Sequence, residues 1–231
     1  MKSQIATSVQ FAPLARESLE QRVTQTLREL IVTRQLDEGT PLVQRDLAQL
    51  LGVSQTPIRL SLAELEREGL VETTETGRAQ VSRLTREDLE EIYAARLGLE
   101  GLAARVGVAA IDDVRLARMK KLMTKLERLA KNRDVEAYLR ARWDFHVICY
   151  DASGRARLVA EVERLFLRAE RYNRMVLATE GRFRRSIGYY RAFLKACERR
   201  DPDAAERVIH MSMRQTVADL APSLPSERDA G

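Results

Sequence analysis

The sequence predicts a mainly α fold in two parts: three helices closed by a small hairpin, then an all-helical bundle. Three observations predict it. Apolar residues recur at helical spacing from Leu19 to Leu220 of the 231-residue chain. Strand-like residues are confined to 70–73 and 79–82, on either side of a turn at Gly77. The short turn Gly52-Val53-Ser54 joins two brief helical segments ahead of that hairpin.

In chain order, residues 1–15 show no periodicity and are expected to form a flexible arm. Leu19, Val23, Leu27, Leu30 and Ile31 mark the first helix, which Asp37-Glu38-Gly39-Thr40-Pro41 interrupts. The second, from about Gln44 to Leu51, gathers Leu47, Ala48 and Leu51 on one face and stops at Gly52. Ser54 is expected to N-cap the third, which turns Ile58, Leu62 and Leu65 inward and carries Pro57 in its first turn, where the missing N–H does little harm. Gly69 ends it and the hairpin follows. Beyond Ser82, Thr85 and Asp88 have capping-box spacing ahead of a long helix through Leu89, Ile92, Leu99 and Ala103. Further helices are predicted over 112–130, 134–151, 156–177 and 182–200. The last opens with Asp201 as N-cap and Pro202 in first position. The domains read as a head over 16–83, a helical domain over 84–221 and a flexible tail over 222–231.

Composition excludes several classes. The longest charge-free apolar stretch, 106–111, is far too short to cross a bilayer, and residues 1–15 lack a signal-peptide core. Cys149 and Cys197 make neither a metal spacing nor a disulfide framework, which fits a cytoplasmic protein. No nucleophile elbow, phosphate-binding glycine loop or zinc-protease helix is present, so an enzyme is not expected. The formal charge is +5, from 39 Lys and Arg against 34 Asp and Glu. Residues 16–83 alone carry nine cations and eleven acids, so bulk charge does not mark the head as a nucleic-acid binder. Its case rests on where its arginines sit.

Three helices and a hairpin, with a tight turn before the third helix, form a winged helix-turn-helix, whose third helix enters the major groove by its N-terminal residues. Those residues are Ser54, Gln55, Thr56 and Arg59; arginine can pair bidentately with guanine and glutamine with adenine. Arg45 is placed for phosphate or base, and Gly77 and Arg78 form the wing tip. The same layout could instead serve protein contact without operator binding. The motifs Arg45-x-Leu47-Ala48, Leu51-Gly52-Val53-Ser54-x-Thr56-Pro57-x-Arg59 and Leu65-Glu66-x-Glu68-Gly69-Leu70-Val71 resemble the head of GntR-type transcription regulators. Gln55 stands where that family commonly has arginine, so the usual operator is not implied.

Arg96-x-x-Leu99-Glu100 and Phe145-His146 resemble the FCD effector domain, giving a FadR-type architecture. The resemblance implies a homodimer on double-stranded operator DNA, a repressor more often than an activator, switched by a small-molecule effector. Many FCD domains hold a divalent metal through one Asp and three His, and with it a carboxylate. At those positions this chain has Arg142, His146, Tyr190 and Ser212. One imidazole does not make a metal site, so no metal and no cofactor is expected, the alternative being a metal-dependent sensor that uses His146 with other ligands. Two arrangements stay open for Arg142. It could replace the metal's charge and bind a carboxylate beside Arg96, His146 and Tyr190. It could instead form a salt bridge within the bundle, with His146 and Tyr190 as packing. The cationic runs Lys120-Lys121, Arg182-x-Arg184-Arg185 and Arg199-Arg200 are expected on solvated faces.

Overall fold

A computed structural model describes residues 18–179 and 181–226. The expected arm over 1–15 and the last five residues lie outside them. The head consists of α1 (Leu19–Val32), α2 (Gln44–Leu51), α3 (Gln55–Arg67), β1 (Val71–Thr73) and β2 (Ala79–Val81). Ser18 and Gln21 cap α1 reciprocally in a full capping box. Val23, Leu27 and Ile31 of α1 meet Ile58, Leu62 and Leu65 of α3, with Leu70, Val71 and Val81 closing the core from the hairpin side. Arg28 ties the first and third helices together by donating from Nε to Glu68 at 2.8 Å. Gly52 ends α2 at φ +65°, a left-handed conformation that favours glycine.

The strands pair antiparallel, Val71 opposite Val81 and Thr73 opposite Ala79. Residues 39–42 flank β2 on its other edge, where Leu42 N–H donates to the Ala79 carbonyl at 2.8 Å and Val81 N–H to that of Thr40 at 3.0 Å. No strand is predicted there, because Gly39 and Pro41 interrupt any alternation.

The second part is built from α4 (Arg86–Ala110), α5 (Asp113–Asn132), α6 (Val135–Tyr150), α7 (Ala156–Arg168), α8 (Glu170–Ala178), α9 (Arg182–Glu198) and α10 (Pro202–Leu220). Its apolar core is separate from that of the head and runs from Leu84 to Leu224. Asp201 caps α10 by accepting from Ala204 N–H, with Pro202 in the first turn. No helix among the described residues is long and apolar enough to cross a membrane.

The structure corrects three expectations. The single helix over 156–177 is two, because Ala169, at ψ −4°, turns the chain between α7 and α8. No glycine or proline marks the break, which redirects Arg171 and Tyr172 toward the head. The capping box at Thr85 is half formed. Its hydroxyl accepts from Asp88 N–H, but the Thr85 N–H donates to the Tyr172 hydroxyl, which also contacts the Asp88 carboxylate at 2.8 Å. Of the tail expected from 222, Leu224 is buried and the Pro225 carbonyl accepts from Arg86 N–H at 3.0 Å, so this stretch packs against the start of α4.

Candidate functional site

Two surfaces carry the predicted site residues. On the head, Arg45, Ser54, Gln55, Thr56, Arg59, Gly77 and Arg78 are all exposed, while Ile58, Leu62 and Leu65 on the opposite side of α3 are buried. Ser54 occupies the N-cap position, but its side chain makes no cap hydrogen bond, contrary to expectation. The start of α3 therefore presents backbone N–H groups without a side-chain partner, a setting that favours an anion such as phosphate. Arg45 pairs with Asp46 at 3.1 Å, with the side chains 79% and 55% exposed. Such a pair is worth about 1 kcal/mol or less, so a phosphate can displace it. At the wing, Gly77 turns at φ +75° and Thr74 accepts from Arg78 N–H at 3.1 Å, leaving the Arg78 side chain in solvent.

In the helical part, Arg96, Arg142, His146 and Tyr190 line one cavity of about 30 Å³, and Ser212 lines it too. All four positions that match the family's metal ligands thus converge. Their chemistry does not fit a metal: His146 alone is a ligand type, and Arg142 brings a cation one turn away. Among the described residues no group of three or more His, Cys, Asp or Glu could hold an ion.

The two arginines differ. Arg96 donates from Nε to Glu100 at 2.6 Å, both side chains almost wholly buried, and its guanidinium carbon lies 4.8 Å from the Tyr93 ring centre and 5.4 Å from that of Phe166. Burial works against its charged form, but Glu100 together with Tyr93 and Tyr150 outweighs burial and raises its pKa above the ordinary arginine value. Among the described residues, no carboxylate is bonded to Arg142. Arg142 donates from Nε to the Tyr190 hydroxyl at 2.7 Å and lies 5.6 Å from the Phe166 ring centre. The expected alternative of a salt bridge within the bundle is therefore not what forms.

His146 packs among Tyr150, Tyr190 and Phe193, with ring centres 5.0 to 5.7 Å away. Burial first, then Arg142 and Arg96, push its pKa down to about 3, so the imidazole is neutral near pH 7. Its Nδ1 is buried without a hydrogen-bond partner, and so is Nδ2 of Asn173, another cavity residue. His210 turns away from the cavity and bonds the Leu97 carbonyl at 2.9 Å.

Sequence reasoning missed Glu100 and Asn173. Glu100 was visible as the residue four after Arg96, the helical ion-pair spacing. Asn173 carried no signal, because it reaches the cavity only after the break at Ala169. Arg182 is a correction: expected on a solvated face, it is buried, donating to Asp219 at 2.7 Å and to Thr216.

Residues 19–81 match the gntR family of bacterial regulatory proteins, and residues 91–215 match the FCD domain. The chain belongs to the GntR family and joins its DNA-binding head to an FCD effector domain. It resembles the HTH-type transcriptional repressor NanR of Cronobacter sakazakii, with 27% identity over 93% of this chain and 90% of that protein. The HTH-type regulator YdhC of Bacillus subtilis is 30% identical over 55% of this chain and 57% of its own length. The solved structure of McbR/YncC from Escherichia coli covers 90% of this chain and 99% of its own, with a TM-score of 0.75 at 24% identity, which shows the fold. The protein is a DNA-binding transcription regulator, a family of operator-binding proteins and not of enzymes. Its FCD domain implies a small-molecule ligand.

Proposed function

We propose that the protein binds its operator as a homodimer, as a repressor, and is switched by a small carboxylate held at Arg142 in the helical domain. The observation that carries the effector reading is Arg142 itself, a cation at a buried cavity bonded, among the described residues, to a neutral phenol and to no acid. A guanidinium gives a carboxylate a charge-assisted, bidentate pair, supplying the charge a metal would bring.

The dimer reading draws on α4 and α10, which lie side by side. Ala94, Ala95, Gly98 and Leu102 leave an exposed stripe along α4, and Met211 of α10 is 59% exposed. A face of small and apolar side chains suits a second copy of the chain. Two heads are needed because one winged helix reads only a half-site. The repressor sense draws on the name of the NanR relatives.

Effector binding reaches the head through α8. Its consecutive residues Arg171, Tyr172 and Asn173 touch Ser82, Thr85 and the cavity in turn. The cavity holds a water or two at most, so ligand entry must part its walls. Calorimetric titration of wild type and Arg142→Ala with a panel of small carboxylates tests the reading. Binding by wild type and its loss in the variant are expected; equal affinity would overturn it.

A further inference from the structure

The cavity wall contains more than one cation without an acid. Asn173 is 2% exposed, and its carboxamide is half used. Its Oδ1 accepts from the Tyr93 hydroxyl at 3.2 Å, while Nδ2, with two N–H donors, is buried and bonds nothing. Nδ1 of His146 is likewise buried and unbonded. Buried polar groups are rarely left this way, since an unmet donor loses its hydrogen bonds to water with no return. Both atoms belong to residues that face the same small space as Arg142.

Charge sets a second condition. Arg96 is neutralised by Glu100 at 2.6 Å, while Glu170 on α8 bonds Arg174 at 3.0 Å and acts on Arg142 only through space, outside the cavity lining. Among the described residues the cavity therefore offers at most one positive charge with no acid bonded to it, at Arg142. A second carboxylate in the ligand would meet the Glu100 side and an uncharged imidazole.

We infer that the ligand is a small monocarboxylate bearing an additional uncharged oxygen, a hydroxyl or a carbonyl, and that Asn173 is the residue that selects for that oxygen. The carboxylate lies on Arg142, as in the reading above on which this inference rests. The second oxygen accepts from Asn173 Nδ2, and the neutral imidazole of His146 can donate to it or accept from it according to its tautomer. A site built to hydrogen-bond an oxygen rejects the analogue lacking it, because its own buried groups then stay unpaired.

The full-length protein is titrated calorimetrically with matched acids of two sizes: propionate against 2-hydroxypropionate and 2-oxopropionate, and hexanoate against gluconate, with malonate as the dianion. For at least one pair, the oxygen-bearing acid is expected to bind about tenfold or more tighter than its plain partner. Malonate should bind more weakly than either three-carbon oxygenated acid. Asn173→Ala should remove most of the preference and leave the plain acid within about threefold. Asn173→Asp, nearly the same shape with acceptors for donors, should weaken every carboxylate. Equal binding within both pairs, or a preference that survives Asn173→Ala, would overturn the inference while the Arg142 reading stands. Binding of no acid at all by wild type would defeat that reading, and this inference with it. Should Asn173→Ala fail to fold, Asn173→Asp and the matched pairs on wild type still decide.

Discussion

Arg171 donates from a single nitrogen, Nη1, to both the carbonyl oxygen and the hydroxyl of Ser82, each at 2.9 Å. Ser82 directly follows β2, and its hydroxyl donates in turn to the Gly69 carbonyl behind α3 at 2.7 Å. From the head side, Glu38 accepts from Leu84 N–H at 3.0 Å. The connection between the two parts is thus held by specific bonds on both sides. Asn173, two residues after Arg171, lines the cavity, so α8 connects the cavity wall to Ser82.

Arg171→Met should break this connection. The variant loses charge-assisted bonds at a buried position and leaves the Ser82 carbonyl unmet, at a cost of about 2–3 kcal/mol. Urea unfolding measures the loss. The variant should still bind DNA, but its DNA affinity should no longer respond to a ligand in the cavity.

Glu100→Gln should be among the most damaging single changes in the helical part. It leaves Arg96 charged, buried and without its partner, at a cost of about 3–5 kcal/mol. The double variant Arg96→Met with Glu100→Leu should recover much of that loss. Thermal or denaturant unfolding of wild type, Arg96→Met, Glu100→Leu and the double variant completes the cycle, and equal destabilisation of Glu100→Leu and the double variant would contradict it.

His146 sets a pH dependence. Its folded pKa, about 3, lies below the ordinary 6.5, so between these values the unfolded chain binds a proton that the folded chain refuses. The contribution to stability is whole above pH 6.5 and is lost as pH falls toward 3, by about 2 kcal/mol between pH 6 and pH 4. Unfolding free energies of wild type and His146→Asn over that range should differ in slope, the variant being flatter.

Two helical glycines should behave oppositely. A Cβ on Gly107 would stand 2.2 Å from the Cys149 carbonyl oxygen, so Gly107→Ala must push α4 from α6 and should cost about 2–3 kcal/mol. Gly188 has nothing within 4 Å, and Gly188→Ala should gain about 0.5–1 kcal/mol by favouring the helix. Melting temperatures of the pair read this directly.

Much of this was legible in the sequence, for physical reasons. Ile58, Leu62 and Leu65 announce the buried side of α3 by periodicity, and Gly52 and Asp201 announce helix ends by local chemistry. The convergence of Arg96, Arg142, His146 and Tyr190 on one cavity followed from matching motifs position by position. What stayed hidden depends on contacts between distant elements. The break at Ala169 has no local signature, so Asn173 and Arg171 could not be placed. Arg182 read as surface because its partners, Thr216 and Asp219, lie more than thirty residues away. The packing of Leu224 against the bundle was equally beyond local pattern.

We propose that exposed arginines, rather than bulk charge, carry operator recognition. Fluorescence anisotropy with DNA from upstream of the protein's own gene, titrated at several salt concentrations, tests it most directly. Wild type should prefer that DNA to a scrambled duplex and weaken steeply with salt, and Arg45→Ala and Arg59→Ala should each cost about tenfold or more in affinity. Indifference to sequence and salt, or unchanged binding when both charges are removed, would contradict the account.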